Sequence, residues 1–296
     1  MATPPSNLQK YSDLPAWRQD NPAILTGYRK ETDSWSGIID GLWVWHNETI
    51  NIWSHLLGAL SIVGFFWLCN VGTSWEWIAS NPLLSSARTV TWCDRGGMGI
   101  FLLGALMCFG CSTAFHASTC HSQSVVRYMN RVDYLGILVL GTVNFFPSFH
   151  YAFFCDPHLR NLYIFSMTLS GLVGIYLVCA PTYASPAYRR MRTYTFFTLG
   201  VVALAPFVHC FVRYGIDQAA KSLSTRWIVI EIVAYVGGAL LYSERCPECL
   251  APGKFDIIGA SHQIFHVCSL VAVLTHYLAI SDGFRYWHFE RNGSCI

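Results

Sequence analysis

Six stretches of this chain carry no Asp, Glu, Lys or Arg, and each reaches or exceeds the roughly 20 residues that a helix needs to cross a bilayer. They are Thr49–Trp75, Gly96–Val126, Tyr134–Cys155, Asn161–Tyr188, Thr193–Val212 and Ile257–Ser281. Trp227–Ser243 makes a seventh if Glu231 is tolerated. A segment in hydrocarbon must pair its own backbone polar groups, which a helix does internally. The expected fold is therefore all-α: an integral membrane bundle of seven transmembrane helices joined by short loops. Composition agrees, with 53% hydrophobic and only 12% charged residues against the roughly 25% charged of soluble domains. Residues 1–47 read as a polar tail without the apolar core of a cleavable signal peptide, residues 48–281 as the membrane domain, and residues 282–296 as a short outer tail.

Loop charges set the expected orientation. Alternate assignment places 11 Lys and Arg on the amino-terminal side and 8 on the other. The positive-inside rule then favours a cytosolic amino terminus and an outer carboxyl terminus. A net charge of +2 gives no argument for a nucleic-acid partner.

Imidazoles inside an apolar span are costly and usually have a partner there. His262 and His266 stand at i and i+4 in the last span and so share one helical face. Two such rings suit a tetrahedral zinc ion, which takes a third protein ligand from elsewhere and, in a catalytic site, keeps a position open for water. His116, at the end of the second span, is the candidate third ligand, and His121 is its competitor. Five residues separate those two, so both could ligate one ion only if the helix ends between them. With seven spans, the end of the second, the start of the third and the start of the seventh lie on one face of the membrane. His116, Asp133, His262 and His266 occupy those places.

Each polar residue also has a plainer reading. Asp133 could cap the third helix, and Ser112, one turn before His116, could bond its own backbone. His46, His55, His158 and His288 read as interfacial side chains; His150, His209 and His276 read as interfacial or packing groups near the outer ends of their spans. Glu231 lies near Arg226, where local ion pairing is the default. Most of the 12 cysteines read as buried thiols, although Cys93, Cys155 and Cys295 could share the outer face and allow one bridge. Cys246-Pro247-Glu248-Cys249 is a lone CxxC. Asn47-Glu48-Thr49 and Asn292-Gly293-Ser294 fit the glycosylation pattern, the first on the face expected to be cytosolic.

Several motifs in order resemble one family. They are Asn21 to Ile24 with Gly27-Tyr28-Arg29, Trp45 through His55, Ser112 through His116, His121-Ser122, Asp133 through Ile137, Pro252 through Asp256, and His262 through His266. Over roughly residues 16–280 the chain resembles the progestin and adipoQ receptor family, related to haemolysin III, and within it the adiponectin-receptor branch; its short amino-terminal tail is closer to fungal-type members. The resemblance implies zinc held by histidines at the positions of His116, His262 and His266, with Asp133 beside a metal-bound water and Ser112 facing the site. Family members are receptors for adiponectin or steroids and, in fungi, sterol, zinc or lipid homeostasis proteins, and they share a metal-site pattern with alkaline ceramidases.

Zinc could lower the pKa of bound water to about 7, with Asp133 holding or taking the proton and Ser112 helping to stabilise an oxyanion. The expected function is lipid or sterol metabolism and signalling, with ceramidase-like amide hydrolysis. The expected partner is a membrane lipid (ceramide, sterol or fatty acid), an extracellular or membrane-borne ligand being open, in the plasma membrane or endoplasmic reticulum. The alternative is a ligand-responsive receptor with purely structural zinc; a transporter would need a chain of acidic residues that the spans lack.

Overall fold

The computed structural model describes residues 8–70, 90–180 and 189–295. Residues 71–75 and 181–188 of the apolar stretches, and Arg88, lie outside them. Among the described residues, seven helices are long and apolar enough to cross a bilayer. In chain order the spans begin with Thr49–Asn70, Trp92–Ser118 and Gln123–Val143, the last continued by Phe145–Ala152. Pro157–Cys179, Arg189–Tyr214, Thr225–Glu244 and Ser261–Arg285 complete the set. The third span breaks at Asn144, where Pro147 lacks the N–H that would reach back to the Val143 carbonyl and its ring crowds that turn. Asp94 and Thr91 form a capping box at the start of the second span, and Asp156 caps the fourth by accepting from the Leu159 N–H at 3.3 Å.

Lipid is as apolar as leucine, so spans associate through close packing rather than through exclusion from water. Glycine provides the approach where it matters for the site. A Cβ on Gly136 in the third span would sit 3.0 Å from the Cys108 Cα of the second. One on Gly58 in the first would sit 2.6 Å from Leu270 of the seventh. Spans one, two, three and seven are thereby held together around one interior.

The segment before the first span is folded. Leu8–Gln9 pairs antiparallel with Tyr28–Arg29, and the chain then packs on the loop between the sixth and seventh spans. Asp256 in that loop accepts from the Leu25 N–H at 2.8 Å and the Thr26 hydroxyl at 2.6 Å. Glu248, the residue inside the CxxC, accepts from Asn21 and from the N–H and hydroxyl of Ser261. It therefore fixes the start of the helix that carries His262. Arg29 is buried, and its guanidinium donates to the His116 carbonyl at 2.8 Å, a cation at the carboxyl end of a helix where the dipole favours it.

Cys155 and Cys295 form a disulfide, and Cys93 is a free thiol. Several expectations for single residues are corrected. His46, His55 and His288 are buried rather than interfacial, whereas His158 is exposed. Glu231 pairs with His276 of the seventh span at 2.8 Å, not with Arg226, which pairs with Asp282 at 2.8 Å. His150 and His288 both donate to Asp94, at 3.1 and 2.8 Å. For Glu231, His150 and His288 a buried group takes a partner from another element, because an unpaired polar group in the interior is destabilising.

Candidate metal centre

Helical spacing delivers the side chains. Cys108, Ser112 and His116 recur every fourth residue along the second span and are all buried. His262 and His266 stand one turn apart at the start of the seventh, His266 buried and His262 half-buried. The end of one helix meets the start of the other, so three imidazoles from two spans converge.

His116 Nε2 lies 3.0 Å from His262 Nε2, which lies 3.2 Å from His266 Nε2. The outward nitrogens explain why these edges face each other. His116 Nδ1 lies 2.8 Å from Glu48 Oε2, and His266 Nδ1 lies 3.1 Å from the Asn51 carbonyl. Both outer partners are acceptors, so both Nδ1 atoms carry the protons and both Nε2 atoms present lone pairs inward. Lone pairs at such separations repel unless a cation or a shared proton lies between them. Tetrahedral coordination with metal–nitrogen bonds of about 2.0–2.1 Å puts donors about 3.3 Å apart. The three donor atoms lie within 4.8 Å of one another, so the set fits such an ion with little movement. All-nitrogen ligation suits zinc and its transition-metal neighbours, not magnesium or calcium.

Glu48 is the residue that the sequence alone did not place here. It stands just before the first span and is 23% exposed as a side chain. Hydrogen bonds from the His116 Nδ1–H and the Asn51 amide favour its charged form. The Asn51 amide donates to the same oxygen at 2.6 Å. Carboxylate–histidine pairs of this kind fix the ring and raise its basicity, and their removal typically costs 10–100-fold in metal affinity. Glu48→Gln is accordingly expected to weaken metal binding by about that factor while leaving one site per chain, as a competitive chelator titration would show.

Asp133 is not a cap. It lies well inside the helix that starts at Gln123, buried against the second span. Its carboxylate belongs outside the three-donor group, with the Ser112 hydroxyl as hydrogen-bonding neighbour and His116 within electrostatic reach. The arrangement suits a group that holds something beside an ion, not the ion itself. The competitor His121 is spent elsewhere: its Nδ1 accepts from the Ser122 N–H at 2.7 Å, and its ring packs on Trp35. The helix does end before it, at Ser118, but the chain turns away.

Residues 43–277 match the sequence profile of a family described as Haemolysin-III related. The chain is 32% identical over 272 residues to the "Adiponectin receptor protein" of Drosophila melanogaster, covering 92% of this chain and 58% of that protein. It thus spans little more than half the length of that relative. It is 31% identical to "ADIPOR-like receptor IZH1" of Eremothecium gossypii, over 94% of this chain and 84% of that one. To "ADIPOR-like receptor IZH2" of Saccharomyces cerevisiae it is 29% identical, over 98% of this chain and 88% of that one.

Proposed function

The chain belongs to the haemolysin-III-related family of progestin and adipoQ receptors, as an integral membrane protein of seven helices, and from that membership we propose that it is a zinc-dependent, ceramidase-like amide hydrolase acting in lipid metabolism and signalling. The observation that carries the reading is the convergence of three Nε2 atoms, two of them with outer nitrogens tied to acceptors, beside a buried carboxylate that is not one of the donors. A zinc ion held there would supply Lewis acidity and lower the pKa of a bound water. His116, His262 and His266 would hold the ion, Glu48 and the Asn51 carbonyl orient two of those rings, and Asp133 would take a proton from the attacking water and deliver it to the departing amine nitrogen. The Ser112 hydroxyl donates toward the oxyanion that develops on the amide carbonyl. An apolar substrate fits a centre enclosed by spanning helices, and a long-chain ceramide has the amide that this chemistry needs. Purified protein incubated with defined ceramides is expected to release sphingosine in a chelator-sensitive manner. Absence of release from every ceramide would leave the second reading, a ligand-responsive receptor whose zinc ties spans two and seven together. That reading is favoured by the word receptor in the names of the Drosophila and fungal relatives.

The orientation belongs to the same proposal, with the triad near the cytosolic face of the plasma membrane or endoplasmic reticulum. Cysteine chemistry supports it beside the charge bias. Cys155 and Cys295 are bridged, whereas Cys120, Cys246 and Cys249, at the other ends of the helices, are free thiols. Disulfides persist on the oxidising side of a membrane and thiols on the reducing side. Epitope tags at the two termini are expected to be reached on opposite sides, the carboxyl-terminal one on the outer or luminal face. An amino-terminal tag accessible on intact cells contradicts the orientation.

A further inference from the structure

The first span brings a fourth histidine to the centre, and none of the roles assigned so far uses it. His55 follows Asn51 by one turn on the same face and is 4% exposed. Its ring stacks on the triad residue His266, with centroids 3.8 Å apart and planes 17° apart, and Phe109 packs against it at 4.8 Å. Neither ring nitrogen has a partner in hydrogen-bonding geometry, although the His266 main chain is close. The Asn51 Oδ1 is buried and unpartnered as well. The other polar groups here are engaged: the Asn51 amide on Glu48, the Asn51 carbonyl on His266, and Glu48 on His116.

An unpaired polar group in an interior is destabilising, and phenylalanine would fill this stack without that loss. Stacking alone therefore does not account for an imidazole at position 55. Uncharged imidazole offers one donor and one acceptor. A carboxylate or carbonyl would satisfy only the donor, and an ammonium only the acceptor. A hydroxyl satisfies either, and the Asn51 Oδ1 one turn away can take its proton when His55 donates. We infer that His55 is the recognition residue for a hydroxyl on the polar head of the lipid, seated between the first span and the histidine triad. The identity of that lipid rests on the hydrolase reading, whereas the hydroxyl contact is a matter of binding and can be measured without turnover.

The probe pair is a ceramide and its 1-deoxy counterpart with the same acyl chain. Each is bound to the full-length protein in lipid nanodiscs and quantified by mass spectrometry, counting intact lipid and any cleavage product together. Wild type is expected to hold the hydroxylated lipid about tenfold more tightly, the value of one hydrogen bond. His55→Phe, which keeps the stack and removes both nitrogens, is expected to abolish that preference with zinc content unchanged. His55→Gln, which restores a donor and an acceptor, is expected to recover part of it. Equal binding of the two lipids by wild type overturns the inference, as does a preference that survives in His55→Phe, the result if only water occupies the spot. Loss of zinc from both variants overturns it too, by assigning His55 a structural role. Turnover measured in parallel separates the two ideas. Preference without sphingosine release leaves this inference standing and removes the hydrolase, and release with an unchanged preference in His55→Phe does the reverse.

Discussion

Replacement of His262 by alanine is expected to empty the centre, taking purified protein from one tightly bound zinc per chain to a small fraction of that by elemental analysis, with loss of any chelator-sensitive activity. The expectation follows from His262 being the shared corner of the triangle, 3.0 Å from His116 and 3.2 Å from His266. Without it the two remaining donors come from different helices and close no chelate on either. Loss of an outer-sphere partner typically weakens a metal 10–100-fold, so loss of a ligand that bridges both others should exceed that range. His116→Ala and His266→Ala should behave alike, and His121→Ala, whose ring is committed to the Ser122 backbone and Trp35, should keep its zinc. Retention weakens as pH falls, because protons compete for the lone pairs that ligate the ion. A metal that links the second and seventh spans also stabilises the native state by mass action, by about 4 kcal/mol when the free ion exceeds its dissociation constant a thousandfold. Stripping it should therefore lower the thermal midpoint of wild type and leave that of His262→Ala unmoved. Unchanged zinc in the His262→Ala protein would sink the assignment.

The His262 and His266 pair could be read from the chain because its signal is local, whereas the third ligand stayed open between His116 and His121 on spacing and was singled out by the family resemblance. An i,i+4 pair in a run without charges is visible in five letters, and charge-free runs mark spans by the same kind of counting. The counting also explains the misplacement of Asp133. A criterion that stops at charged residues begins the third span at Tyr134, whereas the helix begins at Gln123 and carries Arg127 and Arg131 on its first turns. Asp133 therefore looked terminal while it sits mid-helix against Ser112. Glu48 was illegible for another reason. It lies 68 residues from His116 and inside a triplet that reads equally as a glycosylation pattern, so only the approach of the first and second spans makes it an orienting group. The pairing of Glu231 with His276, and of Asp94 with His150 and His288, are likewise products of helix packing across long separations. A single sequence names the polar residues inside a membrane but not which of them meet.

Asp133→Asn separates the chemistry from the metal. The carboxylate is buried in the third span, is not one of the donor atoms, and has Ser112 for a neighbour and His116 within electrostatic reach. The amide is nearly isosteric and still accepts a hydrogen bond, so the packing of Gly136 against Cys108 should persist, and with it the fold and most of the zinc. What the amide cannot do is take a proton. Loss of a general base typically lowers a rate 10²–10⁴-fold, which corresponds to about 2.7–5.5 kcal/mol of barrier. Sphingosine release from ceramide is expected to fall by that factor at constant zinc content, whereas Ser112→Ala, removing one donor to an oxyanion that the ion also stabilises, should give a smaller loss. The contrast with His262→Ala is the informative one: both variants are expected to lose most activity, but only the histidine variant to lose its metal. If Asp133→Asn also sheds its zinc, the carboxylate holds the ion after all and the three-donor reading is incomplete. If it turns over at full rate with zinc in place, the proton is handled by another group, and Glu48 is the next carboxylate in reach of the triad.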